Sequence, residues 1–218
     1  MASTLPLSAE NLVAYLKQYD QLSDPLLIKA LKEIDRKFFV PEKLQDEAYG
    51  NYPLPIGYGQ TISQPSTVVF MLEQLEVKLG QKVLEVGSGC GWVSALLANM
   101  VGEKGKVTGM DIISELVELA RKNIRRVIAI RRGGEAISFK NLAFVQGDGS
   151  QGSAKYAPYD RIIVSAGARK IPQALLEQLK DGGRMVIPVG EGTQDMMVIE
   201  KVGGKIKQTK FPGFVFVP

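Results

Sequence analysis

Val83-Leu84-Glu85-Val86-Gly87-Ser88-Gly89-Cys90-Gly91 is a short apolar run that ends in a turn with glycine at every second place. The run reads as a buried strand, and Trp92 opens a helix directly after the turn. Glycine lets the backbone take positive φ and pass close to a ligand. The turn and the helix N-terminus offer free N–H groups. In open α/β sheets, ligands bind at the carboxyl ends of such strands. A glycine trio alone also fits a tight strand–helix turn with no ligand.

Outward from this turn, strand and helix patterns alternate. Strands are predicted at Lys82–Val86, Lys106–Asp111, Leu142–Gln146, Arg161–Ser165, Arg184–Pro188 and Met196–Lys201. Helices are predicted at Trp92–Met100, from Glu115 to Arg126 or beyond, and at Pro172–Leu179, where Gly182-Gly183 would provide the stop. Alternation of this kind implies an α/β fold, a doubly wound Rossmann-like sheet that is mostly parallel with helices on both faces. Upstream, Ser66 would cap a helix carrying Val68, Val69, Met71, Leu72 and Leu75. Ser8 would cap a helix through about Tyr19, and Asp24-Pro25 would start another through Ile34. Residues 41–65 hold many prolines and glycines and read as a long loop or chain of turns. The tail from Gly204 to Pro218 has strand-like pieces and no helix. One domain over 1–218 is expected, with N-terminal helices and a covering loop (1–65), a cofactor-binding core (66–190) and C-terminal strands (191–218).

Two acids support a ligand at the glycine turn. Asp111 ends the next predicted strand, where a carboxylate can accept both hydroxyls of a ribose. Asp148, in Gly147-Asp148-Gly149, ends the strand after that and could meet an adenine amino group. A nicotinamide fold wants G-x-G-x-x-G, but here the third glycine comes one place early and Trp92 follows it. No P-loop lysine pattern is present.

Composition narrows the chemistry. The chain has 218 residues, 45% hydrophobic and 23% charged, an ordinary globular balance. It contains no histidine, which excludes a histidine base, a Ser-His-Asp triad and a histidine metal ligand. The single cysteine, Cys90, cannot form an intramolecular disulfide, and no metal site is expected. No apolar run reaches the roughly 20 residues of a membrane span, and 1–6 lacks a signal-peptide pattern. A cytoplasmic protein with no membrane partner is expected. The net charge of +4 permits nucleic-acid contact without demanding it. Arg121, Lys122, Arg125, Arg126, Arg131 and Arg132 form a basic cluster with no interleaved aromatics, so nucleic acid is not the expected partner. The sequence does not set the oligomeric state; a monomer is favoured.

The segment 83–91 resembles the first motif of class I S-adenosylmethionine methyltransferases, with Glu85 in its usual place. That resemblance implies S-adenosyl-L-methionine as cofactor and S-adenosyl-L-homocysteine as product. It implies a cofactor site at Glu85, Gly87, Ser88, Gly89, Gly91, Asp111, Ile112, Gly147 and Asp148. A second stretch is more specific. Tyr52-Pro53-Leu54-Pro55-Ile56-Gly57-Tyr58-Gly59-Gln60-Thr61-Ile62-Ser63-Gln64-Pro65 is similar to the signature of protein-L-isoaspartate O-methyltransferases. Matches also lie at Arg36 with Phe39-Val40-Pro41, at 157–164, at Gly182-Gly183-Arg184, at 187–190 and at Val215-Phe216-Val217-Pro218.

This second resemblance implies the acceptor: the stray α-carboxylate of isoaspartyl residues in damaged proteins and peptides. The resulting ester collapses to succinimide, and hydrolysis returns some normal aspartate. A carboxylate with a pKa near 4 is ionised at neutral pH, so no general base is needed. The family implies that Ser63 donates to the substrate carboxylate; read alone, Ser63 is also a turn residue before Pro65. It implies that Gln60, Thr61, Ile62 and Ser63 border the cofactor, with Thr193 and Gln194 at its amino-acid end. Backbone groups of Val215 and Val217 would meet an extended substrate peptide. Asn51 and Tyr58 depart from residues common in the family, Asp and His. Cys90 reads as a small loop residue and Trp92 as packing at a helix start.

Overall fold

The computed structural model describes residues 8–19, 22–130 and 138–217. Arg131 and Arg132 of the basic cluster lie outside the described residues. Helix α1 spans Ala9–Tyr19, with Ser8 Oγ accepting from the Asn11 amide. Helix α2 spans Pro25–Glu33 and is capped by Asp24, which accepts from the Leu26 amide at 2.7 Å. Apolar residues at helical spacing drive both into the core, among them Leu12 and Leu16, then Leu27 and Leu31.

The stretch read as a loop is more ordered than expected. It holds 3₁₀ turns at Arg36–Phe39 and Glu42–Glu47, then a hairpin of β1 (Leu54–Gly57) and β2 (Gln60–Ile62). The prolines fit because 3₁₀ turns and a two-stranded edge tolerate them. Leu54, Ile56 and Ile62 bury one side of the hairpin. Helix α3 (Pro65–Leu75) starts at a proline, and Ser66 is not its cap. Instead the Asn51 side chain accepts from the Ser66 amide at 3.0 Å, so a distant residue satisfies the helix start.

Strand β3 (Lys82–Val86) and helix α4 (Trp92–Val101) follow, then β4 (Lys106–Asp111), α5 (Ser114–Ile130) and β5 (Leu142–Gln146). After β6 (Tyr159–Val164) come a short α6 (Gln173–Gln178), β7 (Leu179–Val189), β8 (Gln194–Val202) and β9 (Lys205–Phe214). Gly182-Gly183 does not stop the helix. α6 ends at Gln178 because buried Leu179 already pairs with Tyr159, and the glycines sit in an irregular stretch before Arg184 meets Arg161.

The seven-stranded sheet has the order β5-β4-β3-β6-β7-β8-β9. Strands β5 to β7 are parallel, while β8 and β9 add antiparallel hairpin partners. Side chains alternate across it. Val83, Val107, Ile163, Val186 and Val198 join the core with α1 to α5. Leu84, Ile162, Met185, Ile187 and Ile199 face the other way, with Leu175 of α6. β3 therefore stands at the switch point: the chain moves outward to β4 and β5, then returns to β6 on its other side. Among the described residues no helix is long and apolar enough to cross a membrane.

Candidate active site

A cavity of about 600 Å³ opens at the carboxyl ends of β3, β4 and β6. This is the crevice that the switch in strand order creates, and its size suits a small-molecule site. Its apolar wall includes Val86, Met110, Leu116, Val164 and Leu175. Its carboxylates are Asp111 and Asp148.

The glycine turn forms one edge. Gly87 has φ +79, and a Cβ there would lie 3.1 Å from the Ala166 side chain. Gly87 and Ser88 both donate their amides to the Met110 carbonyl, which ties the turn to β4. Asp111 adds a second tie: its carboxylate accepts from the Gly89 amide at 2.8 Å and the Ile113 amide at 3.0 Å. One carboxylate thus sets the turn and still faces the cavity. Gly91 starts α4 at φ +86, close against Ala120 and Phe144. Asp148 accepts from the Ser150 amide at 2.9 Å, holding its own 3₁₀ turn at the rim.

Glu85 lies beneath the turn and does not line the cavity. It is 1% exposed and accepts from the hydroxyls of Ser94 in α4 and Ser165 after β6. Burial pushes its carboxyl up to about 7, against the opposing pull of the Ser94 and Ser165 hydrogen bonds and with a further push from Asp111. Ser165 itself lines the cavity, so Glu85 braces a wall. Burial likewise pushes the Cys90 thiol up to about 12, which leaves no nucleophile there. Trp92 is buried and donates to the Ile34 carbonyl, packing the start of α4 onto the N-terminal helices.

The hairpin closes the cavity from above. Gln60 and Thr61 line it, while Ile56 meets the glycine turn closely enough that a Cβ on Gly89 would lie 3.3 Å away. Ile62 is buried beneath the hairpin, and Ser63 follows it just outside the cavity lining. The Ser63 carbonyl accepts from Arg36 at 3.1 Å. Tyr58 stands exposed at the hairpin tip with φ +54.

The far edge belongs to the tail. Val217 lines the cavity and its carbonyl accepts from the Gly167 amide at 2.8 Å. Val215 is exposed. Gln194 is buried and grips Phe216: it accepts from the Phe216 amide at 2.8 Å and donates to its carbonyl at 3.4 Å. Thr193 is exposed in the turn before β8.

The structure therefore brings Gln60, Thr61, Gly87, Gly89, Asp111, Ile112, Asp148 and Val217 into one cavity. It buries Glu85, Ser88 and Gly91 behind that surface, leaves the half-buried Gly147 outside the lining, and sets Thr193 and Gln194 at the start of β8 beside the tail that carries Val215. The site residues expected from the sequence leave out the segment Ser165-Ala166-Gly167-Ala168-Arg169-Lys170, which follows β6 along the cavity wall. Its position after a predicted parallel strand, at the carboxyl edge, is the signal that marks it.

Comparison with known proteins agrees with this geometry. The family model described as protein-L-isoaspartate(D-aspartate) O-methyltransferase matches residues 7–218. A protein-L-isoaspartate O-methyltransferase of Methanothrix thermoacetophila is 43% identical over 209 residues, 96% of this chain and 93% of its own. That of Fervidobacterium nodosum is 45% identical over 193 residues, 88% of this chain and 92% of its own. In shape, the chain matches a Plasmodium falciparum protein solved with S-adenosyl-L-homocysteine, at a TM-score of 0.82, 24% identity and coverage of 96% and 97%. Similarity that runs nearly end to end, with the glycine turn, both acids and the covering hairpin built around one cavity, places the chain in the protein-L-isoaspartate(D-aspartate) O-methyltransferase family.

Proposed function

We propose that this cavity holds S-adenosylmethionine and that Ser63 orients an isoaspartyl α-carboxylate toward its methyl group. The activity is that of the family: methyl transfer to the free α-carboxylate of L-isoaspartyl residues in damaged proteins. The residues suit the cofactor. Gly87 leaves room where a Cβ would press, and Asp111 and Asp148 line the cavity beside an apolar wall, where they would take the ribose hydroxyls and the adenine amino group. When bound, S-adenosylmethionine supplies a methyl group on a positively charged sulfur, which leaves as neutral S-adenosylhomocysteine with the bonding electron pair.

The chain's own task is positioning. The acceptor carboxylate is already ionised at neutral pH, so a hydroxyl donor suffices and no proton need be removed. The hairpin carrying Gln60 and Thr61 shields the reacting groups from water. Val217 and the tail form the side on which a peptide would lie. The three segments 1–65, 66–190 and 191–218 act as one unit, since Gln60, Asp111 and Val217 share the cavity. We also place the protein in the cytoplasm, where its buried Cys90 stays reduced. A role without nucleic acid is favoured by the use made of the basic face. Arg121 is engaged by Glu118 and the Phe144 carbonyl, and Arg126 stacks on Phe38.

The observation that carries this reading is the meeting of the hairpin with the glycine turn in one cavity. Ser63→Ala tests it. We expect kcat/KM for an isoaspartyl peptide to fall by roughly 10- to 100-fold, the effect of one hydrogen bond to a charged group. S-adenosylhomocysteine binding should change little. Equal loss of both would make Ser63 a loop residue alone.

A further inference from the structure

Arg36 is 1% exposed, an unusual place for a charge. Among the described residues no carboxylate forms an ion pair with it. The neighbouring acid, Asp35, is occupied elsewhere: it accepts from the Tyr49 hydroxyl and from the Lys37 amide. The two terminal nitrogens of the guanidinium donate instead to backbone carbonyls, while its Nε is buried with no partner. One nitrogen donates to Ala48 at 2.6 Å; the other donates to Tyr52 at 3.2 Å and Ser63 at 3.1 Å. Its Cζ lies over the Trp92 ring, 5.3 Å from the ring centre.

Burying a charge without a counterion is costly, and such a group persists where its hydrogen bonds define a structure. Burial lowers the Arg36 guanidinium to about 10, so it stays protonated at neutral pH. Its partners are widely separated in sequence. Ala48 and Tyr52 flank the approach to the hairpin, Ser63 leaves it, and Trp92 begins α4 directly behind the glycine turn. The fork geometry of arginine can reach all three carbonyls at once; a lysine ammonium on a single stem cannot.

Resting on the reading of Ser63 above, we propose that Arg36 is a positioning residue for methyl transfer: it fixes the Ser63 segment in register with the glycine turn that holds the methyl donor. The contact is to the Ser63 carbonyl, so Arg36 sets where the serine stands and leaves its hydroxyl free. The glycine turn and the ends of β3 and β4 that line the cavity hold none of the hydrogen-bond partners of Arg36, which lie in the covering segment on either side of Gln60 and Thr61. Loss of Arg36 should therefore be felt in turnover before it is felt in cofactor binding.

Arg36→Lys, Ser63→Ala and the double variant, compared with the wild-type protein, test this. The measurements are kcat and KM for an isoaspartyl peptide, S-adenosylhomocysteine binding, and hydrogen exchange of the amides at 60–66. Arg36→Lys is expected to lower kcat about tenfold, leave cofactor affinity within about threefold, and speed exchange at 60–66. The double variant should be no more than about twofold slower than Ser63→Ala, because the serine can be displaced only once. Ser63→Ala with undiminished turnover would sink the serine reading alone. Undiminished turnover or unchanged exchange in Arg36→Lys, or losses that multiply in the double variant, would overturn the Arg36 proposal. Should Arg36→Lys fail to fold, Arg36→Gln, which keeps a planar donor without the buried charge, takes its place. If neither folds, Arg36 holds the fold as a whole and the proposal is wrong.

Discussion

Glu85 is a buried carboxyl, held by the hydroxyls of Ser94 and Ser165. Its folded value of about 7 lies above the ordinary 4.5. The folded state therefore binds the proton more tightly than the unfolded chain does. Its contribution to stability is fully present below 4.5 and is lost as pH rises through about 7. The size is on the order of 3 kcal/mol between those limits. Glu85→Gln removes this titration while keeping the shape. Thermal melts from pH 5 to 8 should show the wild-type protein losing stability relative to the variant as pH rises. A difference that does not vary with pH would mean Glu85 keeps its charge in the fold. The sequence flagged Glu85 by its place before the glycine turn, but not its depth. Depth depends on α4 and the segment after β6 closing over it, which no local pattern encodes.

At the scale of elements, the tail and the hairpin frame the cavity, and both depend on side chains that reach across sequence. Gln194 holds both backbone groups of Phe216, and Gly167 holds Val217. Gln194→Leu should free this segment. We expect the KM for an isoaspartyl peptide to rise about 3- to 10-fold, the loss of one or two neutral hydrogen bonds. S-adenosylhomocysteine affinity should stay within about twofold. Weakened cofactor binding with an unchanged peptide KM would instead place Gln194 at the cofactor's amino-acid end, the role its family resemblance implies. The parallel strands were legible because Val83-Leu84 and Ile162-Ile163 are short apolar runs between turn residues. The hairpin was not. β1 and β2 have only four and three residues, and Pro55 stands inside the first. The start of α3 was misread for a similar reason: the side chain that satisfies its Ser66 amide, Asn51, lies 15 positions away.

Across the whole molecule, the doubly wound sheet explains why so few residues decide the chemistry. The reversal of strand order at β3 creates one crevice, and the chain brings its covering elements to that crevice from both ends. The alternation of strand and helix made the sheet readable, and Gly87, Asp111 and Asp148 fell at the carboxyl edge as their spacing implied. What stayed hidden were groups whose meaning arises only on folding: the carbonyls gathered by Arg36, and the wall from Ser165 to Lys170. A crevice of this kind serves to present a methyl donor to a misplaced backbone carboxylate. The most direct measurement gives the protein labelled S-adenosylmethionine and two peptides identical except for one isoaspartyl or one aspartyl residue. Base-labile methyl incorporation is expected in the isoaspartyl peptide alone. Equal labelling of both peptides, or label confined to another acceptor, would contradict it.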